Sequence, residues 1–178
     1  MPSGYLNSVK KQFSQYKLMG EKTMEQLNEE NLFWQYNEQS NSIAIIVRHL
    51  WGNMLSRWTN FLTEDGEKPW RQRDAEFENV IKSKGELLAK WNAGWQCLLT
   101  TLDTLNDDDL GKTIYIRTEP LIVIDAINRQ LAHYCSHVGQ IVYLGKILAG
   151  DQWKSLSIQK GSSKAFNEKM NADFSGKK

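Results

Sequence analysis

The chain has 178 residues, of which 40% are hydrophobic, so it can form one domain with a substantial core but hardly two. Its 22 basic and 21 acidic residues leave a net charge of +1, which excludes a strong electrostatic attraction to nucleic acid. No apolar run approaches the roughly 20 residues of a transmembrane helix, and the first residues lack the apolar stretch of a secretory signal. Two well-separated cysteines fit a reducing compartment. We therefore expect a soluble cytoplasmic protein with neither nucleic acid nor membrane as a partner.

The first third of the chain predicts two long helices. Apolar residues at helical spacing indicate a first helix from about Tyr5 to Leu27. The segment LNEENLFWQYNEQS then predicts an irregular connection. Asn41 or Ser42 is a suitable N-cap for a second helix, which extends from about Ser42 to Leu62.

The rest of the chain predicts two further helices separated by turns. TEDGEKPWRQRD is turn-like, and a third helix follows from Ala75 or Ser83 to Leu105. The alternation in KTIYIRT indicates a short strand or an extended link. Pro120 fits the start of a fourth helix, which continues to about Leu148.

The four amphipathic segments together predict an all-α fold, a four-helix bundle with a loop-rich C-terminal tail. We assign residues 1–167 to a single domain and predict that residues 168–178 form a disordered tail.

All three histidines lie in the second and fourth predicted helices, at a spacing typical of a metal site. His133 and His137 are four residues apart, so they project from one helix face and can ligate the same ion. His49 would complete a set of three nitrogens, which leaves a coordination position open, as catalytic metal sites do. Three imidazoles suit several divalent transition metals, including zinc, nickel and iron. The alternative is that the histidines only pack at helix boundaries.

The neighbours of the histidines suggest a pocket but no general base. Asn53 and Gln140 share the histidine faces and could orient water or substrate, the alternative being ordinary hydrogen bonds between helices. Gly52 leaves space beside His49. No carboxylate lies within one helical turn of a histidine on these faces, so a water bound there would be activated chiefly by the ion.

Four segments give the chain a family resemblance. NSIAIIVRHLWGNMLSRW and HYCSHVGQIVYLGKIL, which carry the three histidines, resemble the DinB-like (DinB/YfiT-type) superfamily of metal-binding four-helix bundles. DGEKPWRQRDAEF and WKSLSIQKGSSKAFN indicate one bacterial branch whose function is undefined.

The resemblance implies an up-down-down-up bundle, commonly a homodimer, with one divalent ion held by His49, His133 and His137. Relatives in the superfamily include enzymes that use a small thiol such as bacillithiol, mycothiol or glutathione as cosubstrate. The resemblance therefore implies a metal-dependent thiol S-transferase that acts on small electrophiles. Two alternatives remain open: a metal-dependent hydrolase, and a non-enzymatic stress protein that binds a metal or ligand.

Overall fold

A computed structural model describes residues 4–175 of the chain and is mainly helical, as the all-α prediction requires. In that range the α-helices are α1 (Gly4–Glu25), α2 (Glu29–Phe33), α3 (Ile43–Trp58), α4 (Lys84–Thr104), α5 (Val123–Ala149) and α6 (Ser163–Phe174). Strands β1 (Thr113–Ile116) and β2 (Glu119–Ile122) form an antiparallel hairpin. Short 3-10 helices occupy Asp74–Phe77, Asp107–Asp109 and Gly150–Gln152.

The four long helices pack as two pairs. The most extensive contacts join α3 to α4 and α1 to α5, and smaller contacts join α3 to α5 and α1 to α4. One aromatic ring from each long helix reaches the centre of this arrangement: Phe13, Trp58, Trp95 and Tyr134. Their centroids lie 6.0 to 6.4 Å apart in edge or tilted orientations, which is the spacing that aromatic pairs prefer.

The helix starts show which local signals determine the fold. The Ser42 side chain accepts a hydrogen bond from the Ile45 N–H at 3.2 Å, which confirms the predicted N-cap of α3. Ser83 caps α4 in the same way, so the third long helix begins there rather than at Ala75. The α3 helix ends at Trp58, before the predicted Leu62, because the next residue is extended and Asn60 has a positive φ of 51°.

The predicted role of Pro120 is wrong. It lies in β2 opposite Tyr115, and the fourth long helix begins three residues later at Val123. A two-stranded hairpin tolerates proline because both of its strands are edges, where a missing N–H costs little. The segment KTIYIRT supplies β1, as its alternation predicted.

Two segments predicted to be irregular are helical. Asn28 caps the short helix α2 inside the predicted connection by accepting a hydrogen bond from the Asn31 N–H. The C-terminal segment forms α6, whose residues are all exposed, where we predicted a loop-rich tail. The disorder expected for residues 168–178 stays a prediction. Residues 176–178 of that tail lie outside the described range. No helix in residues 4–175 is long and apolar enough to cross a membrane.

Candidate metal centre

The structure brings the three histidines together at the seam between the two helix pairs. His49 projects from α3, while His133 and His137 project from successive turns of α5. The Nε2 atom of His133 lies 3.3 Å from Nε2 of His49 and 3.1 Å from Nε2 of His137. One ligand nitrogen from each ring lies within 4.8 Å of the other two. The three side chains could therefore hold a single metal ion.

The hydrogen bonds of two histidines fix which ring nitrogen faces the centre. His49 Nδ1 donates to Glu76 Oε2 at 2.9 Å, and His137 Nδ1 donates to Gln140 Oε1 at 3.2 Å. An imidazole in its neutral form carries only one N–H, so in that form Nε2 of each ring presents a lone pair. Both lone pairs are directed towards His133, whose Nε2 can donate to only one of them. A cation at the centre would satisfy every nitrogen.

The electrostatics keep His133 and His137 neutral. Burial, followed by the neighbouring His137 and His49, lowers the pKa of His133 to about 3. Burial and then His49 also lower the pKa of His137. Because a histidine must be neutral to coordinate a metal, both rings are in the form that a metal requires at neutral pH.

The nitrogen spacing also fits a transition metal. Metal–nitrogen distances of 2.0–2.1 Å in a tetrahedral site place neighbouring ligand nitrogens roughly 3.3 Å apart. The two observed nitrogen separations are 3.1 and 3.3 Å. Two of the three nitrogen separations therefore fit such an ion, and the third lies within 4.8 Å.

Glu76 is the residue that the sequence analysis missed. It lies 27 residues from His49, in the 3-10 helix Asp74–Phe77, and only 6% of it is exposed. Arg71 binds it through two hydrogen bonds, from Nε to Oε1 at 2.7 Å and from Nη2 to Oε2 at 2.9 Å. Burial alone would raise the pKa of Glu76, but the bonds from His49 and Arg71 outweigh it and hold the pKa below its usual range. A carboxylate fixed in this way orients the histidine ring.

The segment that supplies Glu76 also packs on the histidine. Phe77 stacks on the His49 ring, with a centroid distance of 4.8 Å and an interplanar angle of 25°. Both residues belong to DGEKPWRQRDAEF, which the sequence analysis used only as a family marker. The space predicted beside Gly52 exists, but Glu76 fills it. The motif and the glycine were the available signals, and neither indicated a partner for His49.

Asn53 and Gln140 both lie near the histidines but have different surroundings. Asn53 is buried and accepts a hydrogen bond from the Tyr134 hydroxyl at 2.9 Å, and that hydroxyl accepts one from Trp58 Nε1 at 3.0 Å. Gln140 is exposed and contacts the metal centre through His137. Asn53 thus connects the site to the aromatic core, whereas Gln140 contacts the candidate ligand His137 from the solvent side.

A cavity of about 350 Å³ lies against the histidines and gives small molecules access to them. Besides the three histidines, its wall contains Asn53, Phe77, Gln130 and five arginines, namely Arg57, Arg71, Arg73, Arg117 and Arg129. The side chains of Arg73, Arg117 and Arg129 are about half exposed, so the cavity is open to solvent.

A comparison with protein families matches residues 1–162 to a family described as "Protein of unknown function (DUF1572)". The chain belongs to this family. Its match covers every element that forms the histidine centre, including α3, the Glu76 segment and α5. A comparison with curated proteins finds no match. The family description names neither an activity nor the DinB-like superfamily, so that resemblance stays a prediction.

Proposed function

We propose that the chain is an enzyme in which His49, His133 and His137 hold one divalent transition-metal ion and which transfers a small thiol to an electrophile. The observation that carries the metal site is the inward convergence of three Nε2 atoms while Glu76 and Gln140 occupy the outer nitrogens. The resemblance to thiol-dependent enzymes supports the reaction.

Neighbouring residues hold two of the histidine rings in position before an ion binds. Glu76 and Phe77 fix the His49 ring, one through a hydrogen bond and the other by stacking. Gln140 fixes His137 from the outer side. Such outer contacts set ring orientation and ligand basicity, and losing one typically weakens metal affinity about 10–100-fold.

The cavity provides room for the thiol and the electrophile beside the histidines. A divalent ion held there supplies Lewis acidity, which lowers the pKa of a thiol that reaches it. In the transfer, a sulfur–carbon bond forms and the bond from that carbon to its leaving group breaks. The leaving group departs with the bonding electron pair, and the thiol proton passes to solvent.

The two alternatives fit the site less well. A hydrolase that relied on a general base would need a carboxylate poised to accept a proton, whereas both oxygens of Glu76 already accept hydrogen bonds from His49 and Arg71. Its lowered pKa further weakens Glu76 as a base. A purely metal-storing or ligand-sensing protein would favour an enclosed site, but this cavity opens between half-exposed arginines.

We also propose that the four long helices form an up-down-down-up bundle, as in DinB-like proteins, and that the chain is a cytoplasmic homodimer. The meeting of one aromatic ring from each long helix supports the bundle. The exposed apolar side chains of Phe166 and Met170 on α6 are consistent with association between copies.

Elemental analysis of protein purified without a histidine tag tests the metal site. We expect about one transition-metal ion per chain, lost in the double variant His133→Ala/His137→Ala while circular dichroism stays helical. Equal metal content in the wild type and the variant would overturn the site. Consumption of glutathione or bacillithiol with 1-chloro-2,4-dinitrobenzene by the loaded protein tests the reaction. If metal is bound but neither thiol is consumed with this or other common electrophiles, the non-enzymatic alternative replaces the transferase.

A further inference from the structure

The cavity beside the histidines is lined by positive charge. Five arginines contribute to its wall, and no carboxylate residue does within residues 4–175. Arg57 and Arg71 are buried at the base, whereas Arg73, Arg117 and Arg129 are about half exposed. A low-dielectric wall concentrates the field of such charges inside the cavity.

Several of these arginines share the same carboxylate behind the wall. A single oxygen, Glu67 Oε2, accepts hydrogen bonds from Arg57 at 3.0 Å, Arg71 at 3.2 Å and Arg117 at 3.1 Å. Arg71 has a second partner in Glu76, but this carboxylate also serves His49. Through these side-chain hydrogen bonds, Arg57, Arg71 and Arg117 share two carboxylates.

The two remaining arginines have acidic partners that are exposed, and Arg73 also lies over the Phe77 ring at 5.5 Å. Arg129 donates to Glu119 at 3.1 Å, and the Glu119 side chain is 60% exposed. Arg73 lies 3.8 Å from Asp74, whose side chain is fully exposed. Because solvent screens such pairs strongly, they contribute little to folding, and the guanidinium groups remain available to a ligand.

Two buried polar atoms in residues of this wall lack a partner among the described residues. They are Nε of Arg57 and Oε1 of Gln130, and both residues are more than nine-tenths buried. A buried donor of a charged group without a partner is costly, and such groups usually indicate a missing ligand or water. The amide of Gln130 can present either its oxygen or its NH₂ group to a ligand.

We propose that the cavity binds a small molecule through a negatively charged oxyanion, a carboxylate or a phosphate, held by these arginines beside the histidine centre. Guanidinium groups match the geometry of both anions through paired hydrogen bonds. The assignment of this anion to the thiol or the electrophile of the reaction rests on the proposed function. Anion binding itself does not, so it can be measured on metal-free protein.

Two thiols of similar size, one anionic and one neutral, provide the test. Calorimetric titration of the metal-loaded protein compares mercaptoacetate with 2-mercaptoethanol, and inorganic phosphate is titrated into metal-free protein. We expect mercaptoacetate to bind at least about tenfold more tightly, in line with hydrogen bonds to charged groups, and phosphate to compete with it. Competition by phosphate but no preference for mercaptoacetate would assign the site to phosphate esters.

Variants locate the anion. Arg129→Gln and Arg73→Gln should each weaken the binding of the preferred anion about tenfold, since each removes one charged donor. Lys112→Gln, which removes an exposed cation outside the cavity, should leave the affinity for this anion unchanged. Thermal unfolding of each variant shows whether its fold is intact.

The outcomes separate this proposal from the proposed function. Equal affinity for the charged and uncharged thiols, without phosphate binding, overturns the anion site even if the metal content is one per chain. Anion binding that depends on Arg129 in a protein that takes up no metal supports the anion site and overturns the metal-dependent enzyme.

Discussion

The carboxylate of Glu76 lies against the backbone of Gly52, in the position that a side chain at residue 52 would need. A Cβ atom there would lie 2.8 Å from Cδ of Glu76, closer than real Cβ contacts come. Glu76 in turn holds Nδ1 of His49, one helical turn before Gly52 on α3. The orientation of the histidine therefore depends on the absence of a side chain at position 52.

Gly52→Ala should weaken metal binding without unfolding the protein. The added methyl group displaces Glu76 and removes the hydrogen bond that orients His49, so we expect a loss in metal affinity of about 10–100-fold. A competition titration with a chelating dye measures this loss in metal affinity.

Gly139→Ala is the matched control, because a Cβ at this position of α5 would meet no atom of another segment within 4 Å. It should retain metal affinity and stabilise the helix by about 0.5–1 kcal/mol. Equal metal affinity in both variants would refute the role of Gly52.

Glu76→Gln should affect both the ion site and folding. The amide retains the shape of the carboxylate but leaves Arg71 with Glu67 as its remaining acidic partner, so we expect a cost smaller than the about 3–5 kcal/mol of a fully broken buried pair. Metal affinity should fall about 10–100-fold as well. Urea unfolding and metal titration measure the two effects separately. Glu168→Gln in the exposed helix α6 is the control and should change neither.

Removing the metal should lower thermal stability. At a free ion concentration 100 times the Kd, binding to the folded state adds about 2.7 kcal/mol to the free energy of unfolding. For a chain of this size that corresponds to a rise in Tm of roughly 5–10 °C. Calorimetry with and without a chelator measures the shift. His137→Ala should abolish it, and an undiminished shift in that variant would place the ion elsewhere.

Tyr134→Phe should destabilise the protein through the core rather than through the metal centre. Its hydroxyl accepts from Trp58 and donates to Asn53, so the variant leaves two buried polar groups unpaired at a cost of about 1–3 kcal/mol each. Burial raises the pKa of Tyr134, so these bonds persist through the neutral and mildly alkaline range. Chemical unfolding measures the loss. Tyr143→Phe, at a side chain that is 68% exposed, should be nearly neutral.

Asp65 should make the hairpin sensitive to acid. Its carboxylate accepts backbone hydrogen bonds from Glu67 at 2.7 Å and from Arg117 and Thr118 at 2.8 Å each, at a turn where both latter residues have positive φ. Burial would raise the pKa of Asp65, but these bonds outweigh it and lower the pKa. Its stabilising effect is therefore present above the unfolded pKa of about 3.9 and is lost as pH falls through the lower folded value.

Asp65→Asn should consequently be less stable than wild type at pH 7, and the difference should shrink towards pH 3. Urea unfolding at both pH values measures this difference. A gap in stability that stays constant with pH would show that the charge of Asp65 contributes nothing to the hairpin.

Local sequence signals predicted most of the helical structure. Apolar spacing indicated all four long helices, and the Ser42 cap predicted the start of α3. The spacing of His133 and His137 predicted a shared face, which the structure shows. Such features depend on residues within one or two helical turns, so they can be read without knowledge of the fold.

The remaining features depend on contacts between distant segments. Glu76 approaches His49 only because the loop before α4 folds back on α3. The five cavity arginines are scattered along the sequence from Arg57 to Arg129, so they form no run of basic residues. The net charge of only +1 gave no indication of them either. The predicted helix start at Pro120 was wrong because proline suits a helix start and an edge strand equally well.

The two helix pairs described above meet along a seam, and the histidines lie on both sides of it. His49 belongs to the α3–α4 pair, while His133 and His137 belong to the α1–α5 pair. An ion bound to all three would link α3 to α5, whose direct contact is less extensive than the contacts within each pair. Separating the pairs would then require the release of the ion, so the slowest opening motion of the protein would follow the rate at which the metal dissociates.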